Sequence, residues 1–121
     1  MLNLKNPYVT DEYEQTMIPV WFYMEQYCEP ENEKRMFLEL VCNEYGYFEP
    51  WCDVTVNLPE YRLTDENCGF LDTNNAPYII DFLIENKLGE LTGRTAGSGF
   101  CTYPEFRFDM QKITEHILLE E

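Results

Sequence analysis

Basic residues are scarce in this chain. Eight lysines and arginines and a single histidine, His116, stand against 23 aspartates and glutamates over 121 residues, a formal net charge of −15. A surplus of that sign repels phosphate backbones, which excludes direct nucleic-acid binding from the expected functions. Solubility alone asks for roughly 2–8 charges on a small domain, so the excess is expected either to serve a partner or to be tolerated by the fold. One histidine supplies too few nitrogen ligands for a common structural zinc site. The five cysteines (Cys28, Cys42, Cys52, Cys68, Cys101) contain no C-x-x-C pair. Their odd number and wide spacing do not suit a disulfide framework, and the plainer expectation is buried free thiols. Long apolar runs are missing too. The stretch from Met17 to Met24 is interrupted by Pro19, well short of the roughly 18 residues of a membrane span. The first residues lack an apolar signal core and a small-residue cleavage site, and no N-x-[ST] sequon occurs, so a cytoplasmic protein with no membrane partner is expected.

What the chain does have is apolar bulk. It is 45% hydrophobic, with nine Tyr, eight Phe and two Trp, enough to build a core rather than remain disordered. Its length suits one domain over residues 1–121. Val20, Phe22 and Met24 alternate with Trp21, Tyr23 and Glu25, the period-two signature of a strand. The polar stretch 29–34 reads as a hairpin loop. Met36, Leu38, Leu40 and Cys42 then alternate with Phe37, Glu39 and Val41, and Gly46 marks the next turn. Cys52, Val54, Val56 and Leu58 give a third strand, so an antiparallel meander with one buried face is predicted.

Residues 68–72 are a short fourth strand. Asn74, Asn75 and Pro77 carry helix-start chemistry ahead of Ile79, Ile80, Phe82, Leu83 and Ile84, and Gly89 is the expected stop. Residues 92–99, rich in Gly, Thr and Ser, read as a loop before an extended segment 100–108 containing Pro104. Asp109 caps a last short helix. The predicted fold class is α+β: one antiparallel sheet of about five strands, a main helix over 76–88 and a short C-terminal helix.

Chemistry-bearing motifs do not assemble. Gly93, Gly97 and Gly99 lack the following Lys-Ser or Lys-Thr of a phosphate-binding loop. Asp72 to Asn75 opens like a calcium loop, but Pro77 and Leu83 occupy the positions where Gly and Glu are needed. Cys101 with His116 is the one thiol–base pairing to consider, and the local negative charge disfavours a thiolate. No cofactor or metal site is therefore expected.

The acidic residues themselves are the remaining feature. Residues 1–66 hold 14 acidic and 4 basic side chains (−10), and residues 67–121 hold 9 and 4 (−5). In the first half carboxylates interleave with aromatics. Glu25, Glu29, Glu31, Glu33, Glu44 and Glu49 are the candidate partner-binding residues.

The series Glu49-Pro50, Asp53 to Leu58, Phe70 to Asn75, Leu88-Gly89, Thr92-Gly93-Arg94, Ser98 to Cys101 and Tyr103-Pro104 resembles a bacterial domain-of-unknown-function family, from Tyr47 onward. The resemblance implies a small acidic accessory protein of gut bacteria, often carried on mobile elements. It brings no catalytic residues. Three functional readings follow. The leading one is a non-enzymatic binding protein for a basic partner, a nuclease or nucleoprotein of a host defence system, inhibited by DNA mimicry. The second is a small-ligand or peptide-binding module built on Trp21, Trp51, Tyr103 and the 93–99 loop. The third is a hydrolase or thiol enzyme using Cys101 and His116.

Overall fold

The computed structural model describes residues 1–8, 17–27, 35–43 and 46–118, in eight strands and two short helices. Strands β1 (Leu2–Lys5), β2 (Met17–Tyr27), β3 (Arg35–Cys42) and β4 (Glu49–Asp53) form one antiparallel sheet in the order β1-β2-β3-β4. Strands β5 (Thr55–Val56), β6 (Cys68–Leu71), β7 (Gly89–Ser98) and β8 (Cys101–Phe108) form a second, in the order β5-β6-β8-β7. Helix α1 (Ile79–Glu85) links β6 to β7, and α2 (Met110–Thr114) follows β8. With 52% strand and 12% helix among the described residues, this is a mostly-β fold with two sheets. The expected α+β class with a single sheet of about five strands is overturned.

The reason lies at Val54. The third predicted strand does not run straight from Cys52 to Leu58. It ends in the first sheet at Asp53 and resumes in the second at Thr55. The Val54 N–H donates to the Leu38 carbonyl at 2.8 Å, while the Val54 carbonyl accepts from the Asp72 N–H at 3.0 Å. The Thr55 hydroxyl oxygen then accepts from the Leu38 N–H at 3.0 Å. Val54 and Thr55 are both buried, so alternation stops reporting a single face at the crossing.

The first two predicted strands hold. Val20 and Phe22 on β2, and Leu38, Leu40 and Cys42 on β3, are buried against α1 and against Phe106 and Phe108 of the second sheet. Pro19 sits where β2 is paired to β1 but not yet to β3, so its missing N–H costs no ladder bond on that second side. The predicted loop 29–34 lies outside the described residues.

Two corrections concern the second half. Of the predicted loop 92–99, residues 92–98 are most of β7, which pairs with β8 from Gly89↔Phe108 to Ser98↔Cys101 with a shift between Leu91 and Thr95. Its weak strand propensity is overridden by ladder bonds to β8, and the hairpin closes through Gly99 at φ 61 and Phe100. The main helix spans seven residues instead of 76–88, with Ile79, Phe82 and Leu83 buried at helical spacing. Its Asn signal marks a turn, not a cap: the Asp72 carboxylate accepts from the Asn75 N–H and side-chain amide, and the Asp72 carbonyl from the Ala76 N–H. Lys87, at φ 58, ends the helix: its N–H reaches Ile84 O and the Leu88 N–H reaches Leu83 O, a Schellman closure. The C-terminal helix is capped as predicted, by the Asp109 carboxylate accepting from Lys112 N–H at 3.3 Å. Beyond it, Phe22 exchanges backbone bonds with His116 and Leu118, so this segment extends the first sheet where β1 has ended.

Gly89 has a different role from the expected stop. At φ 150, a Cβ there would lie 2.1 Å from the Arg107 carbonyl oxygen and 2.6 Å from the Phe106 ring. The backbone of β8 occupies the space, so Gly89→Ala is expected to lower unfolding stability by more than about 2 kcal/mol. Urea denaturation that places the variant within about 0.5 kcal/mol of the parent would contradict this packing.

Candidate functional site

Of the six candidate carboxylates, Glu25 and Glu49 are exposed on the first sheet, while Glu29, Glu31, Glu33 and Glu44 lie outside the described residues. The register adds two that sequence reasoning missed. Glu39 of β3 faces Tyr23 on one side and Asp53 of β4 on the other. Since Val20, Phe22, Leu38 and Leu40 point into the core, Trp21, Tyr23, Glu25, Phe37, Glu39 and Asp53 share the opposite, outer face. Glu25, Glu39 and Asp53 form a diagonal across three strands, and the Tyr23 hydroxyl donates to Glu25. Burial and then the neighbouring Asp53 charge push the Glu39 carboxyl above its ordinary value of 4.5. Like charges opposite each other across a ladder are destabilising, so this row is a standing repulsion that a bound cation would relieve.

The arginines are elsewhere. Arg35 starts β3, but its buried guanidinium donates to the carbonyls of Leu58 and Tyr61. Arg94 donates to Glu105 at 3.1 Å, to the Thr64 hydroxyl and to the Arg62 carbonyl. Arg107 bridges Asp65 at 2.8 Å and Glu90 at 3.2 Å. Arg94 and Arg107 therefore lace the connection 57–67 onto the second sheet, and Arg35 ties it to β3 of the first. Beneath it they enclose a second apolar cluster of Leu58, Phe70 and Ala96, with Tyr61, Leu63 and Tyr103 packed against it.

Glu105 is the centre of that lacing. It is fully buried, and burial alone would raise its pKa. Hydrogen bonds from the Thr64 and Thr92 hydroxyls and the Thr64 N–H, with the Arg94 charge, outweigh burial and hold it below 4.5.

A third feature sits at the β4 edge. Leu40 pairs with Cys52 and Val41 with Pro50, so Trp51 is the extra residue of a bulge. Its indole N–H donates to the Tyr78 hydroxyl at 2.9 Å, and the Tyr8 ring lies 6.0 Å away. Tyr8, Trp51 and Tyr78 line an open pocket of about 330 Å³ together with Glu39, Asp53 and Asp72. Cys52, also on its wall, has its thiol pushed up to about 11, first by burial. It is protonated at neutral pH and is no nucleophile.

The alternative constellations do not form. Cys101 lies on the β7–β8 hairpin with its thiol against the Tyr103 hydroxyl, whereas His116 contacts the Met1 amino group at 3.2 Å. Trp21 packs edge-on against Phe48, Trp51 against Tyr8, and Tyr103 belongs to the second cluster, so these three aromatics do not share one pocket. Among the described residues, no group of three His, Cys, Asp or Glu converges as a metal site. Nor is any helix among them long and apolar enough to cross a membrane.

A family model described as a domain of unknown function, DUF4313, matches residues 23–118. The chain belongs to that family. The match begins within β2, so the DUF4313 domain takes in β3 and β4 as well as the second sheet, a wider span than the residues from Tyr47 onward. No curated protein and no solved structure matches the chain.

Because the folded pKa of Glu105 is depressed, its ionisation stabilises the fold above the unfolded value near 4.5, and that contribution is lost as pH falls through the folded value. Glu105→Gln is expected to cost about 2 kcal/mol at pH 7, with the gap to the parent closing in acid. Denaturation curves across pH 7 to 3 check this, and a gap independent of pH would contradict it.

Proposed function

We propose that this DUF4313 domain is a non-enzymatic binding protein whose first sheet docks a basic partner. One observation supports the reading: the outer face of the first sheet sets carboxylates among aromatic rings, while three arginines are engaged by the 57–67 connection. Arg35, Arg94 and Arg107 are folded against the 57–67 connection, while Glu25, Glu39 and Asp53 stand among Trp21, Tyr23 and Phe37 on the outer face of the first sheet. Carboxylates between aromatic rings suit arginine and lysine side chains, which pair with the one and stack on the other.

In its finer form the partner is a cytoplasmic nuclease or nucleoprotein of a host defence system, and the domain is a mobile-element inhibitor that imitates DNA. Magnitudes limit what the described row contributes to that form. Glu25, Glu39 and Asp53 place three charges over about 12 Å, whereas the same length of duplex carries roughly seven. Imitation of a duplex therefore requires Glu29, Glu31, Glu33, Glu44 and Glu49 to extend the row.

The small-ligand reading retains one specific support, the pocket of about 330 Å³ at Trp51, which stands near the lower limit for ligand sites.

The test uses purified restriction and CRISPR nucleases with basic nucleic-acid grooves. A complex formed at 50 mM salt is expected to dissociate near 1 M, where the Debye length falls to about 3 Å. Lysine substitutions at Glu29, Glu31 and Glu33, or Glu25→Gln with Glu39→Gln, are expected to weaken it about tenfold or more. Because the Glu39 pKa is raised, its charge is lost before that of an ordinary glutamate as pH falls from neutral toward 4.5, so binding weakens over that window and Glu39→Gln flattens the profile. Absence of binding at low salt across the panel, or binding indifferent to these substitutions, would remove the proposal.

A further inference from the structure

The outer face says that a basic partner fits; the pocket at its edge says which group of that partner is held. The geometry points to the cavity between β4 and α1 as a receptor for the guanidinium of one partner arginine, an inference that rests on the basic-partner reading above. The cavity is concave and open, and two unlike kinds of wall meet in it. One wall is aromatic: Tyr8, Trp51 and Tyr78, with the indole fixed by its hydrogen bond to the Tyr78 hydroxyl at 2.9 Å. The other is carboxylate: Glu39 and Asp53, opposed across the β3–β4 ladder, and the buried Asp72.

Each class of ligand can be weighed against those walls. An anion is repelled by three carboxylates. A purely apolar group would strip water from Glu39 and Asp53 and give nothing in return. A divalent cation needs converging ligands, and no metal-holding group forms among the described residues. Asp72 is also already engaged by Asn75, at 3.3 and 3.0 Å, so it supplies negative potential without turning toward a ligand. A guanidinium suits both walls. It is planar and weakly hydrated, stacks on aromatic rings, and its forked donors meet carboxylates in pairs. An ammonium, compact and strongly hydrated, uses the aromatic wall less well.

The bulge is what makes the receptor. An unbulged β4 would alternate its side chains strictly. The extra residue at Trp51 instead turns Trp51 and Cys52 both toward the core side, with Pro50 and Asp53 flanking the opening. Bulges that re-aim a side chain recur beside functional sites.

The experiment uses the full chain with Trp21→Phe, which leaves Trp51 as the single fluorescent indole. The probes are n-butylguanidinium, n-butylammonium and the neutral isostere n-butylurea. A saturable Trp51 response to n-butylguanidinium is expected, weaker for the ammonium and absent for the urea. Glu39→Gln with Asp53→Asn, which preserves shape, is expected to weaken binding about tenfold or more, and Tyr8→Ala at an exposed ring about threefold. An equal response to the urea or the ammonium, no saturable response to the guanidinium, or unchanged affinity in the Gln/Asn variant would each overturn the assignment. The two proposals fail separately. A nuclease whose salt-dependent binding weakens in Glu25→Gln with Glu39→Gln, to a domain whose Trp51 gives no saturable response to n-butylguanidinium, would leave the basic-partner reading standing without this pocket. A pocket that takes n-butylguanidinium in a domain binding no nuclease would do the reverse.

Discussion

The two-sheet architecture turns on one residue, Val54, bonded to both halves of the fold. Val54 gives its N–H to Leu38 in the first sheet and its carbonyl to Asp72 beside the second. A continuous strand from Glu49 to Leu58 would have produced one wide sheet with both faces to cover. Breaking it after Asp53 lets the two sheets share a core. Leu38 and Leu40 from one side, and Phe106 and Phe108 from the other, close on α1. The crossing also positions the candidate site. It holds Asp53 opposite Glu39, and with the Trp51 bulge just before it sets the aromatic residues of β4 at the mouth of the edge pocket.

The same architecture solves the problem of a net charge of −15. Self-repulsion opposes compaction, so the few cations matter most where they hold backbone that has no ladder of its own. The 57–67 connection is such a stretch, and Arg35, Arg94 and Arg107 reach it from β3, β7 and β8. Glu105 is the buried counterpart that makes one of those contacts costly to break. Three of the arginines are thus engaged by this connection, and the carboxylates Glu25, Glu39 and Asp53 of the first sheet's outer face are left to one another. The acidic face of the first sheet is then a consequence of where the fold needs its arginines, and the proposed partner would meet a surface that the fold already makes.

How much was legible beforehand depended on whether a residue's signal was local. Strands β2 and β3 were readable because each buries one face, so Phe22 and Leu40 fall on a strict two-residue period. The sheet crossing was not, because Val54 and Thr55 are buried together and the pattern Cys52, Val54, Val56 runs through it unbroken. Residues 92–99 look like a loop because their composition is weak for strands, and only pairing with β8 makes 92–98 a strand. Asn74 to Pro77 carry the residue types of a helix start but form a turn, since the Asp72 carboxylate accepts the Asn75 hydrogen bonds. Among the site residues, the alternation already placed Glu39 outward, yet its partnership with Asp53 needs the register, which no single strand reveals. The sequence did show acid beside aromatics at Glu25 and Glu49, and the family, from scattered short motifs along the second half. It did not show that three arginines would be engaged together, because Arg35, Arg94 and Arg107 meet the 57–67 connection only in three dimensions.

The central proposal is that a basic partner contacts the outer face of the first sheet of the DUF4313 domain. Amide and indole chemical-shift mapping of the labelled domain, titrated with a basic nuclease at low salt, tests that directly. Perturbations concentrated at Glu25, Glu39, Asp53 and the Trp51 indole, and fading with added salt, are the predicted result. Perturbations centred on β7 and the 57–67 connection, or spread evenly over both sheets, would contradict it.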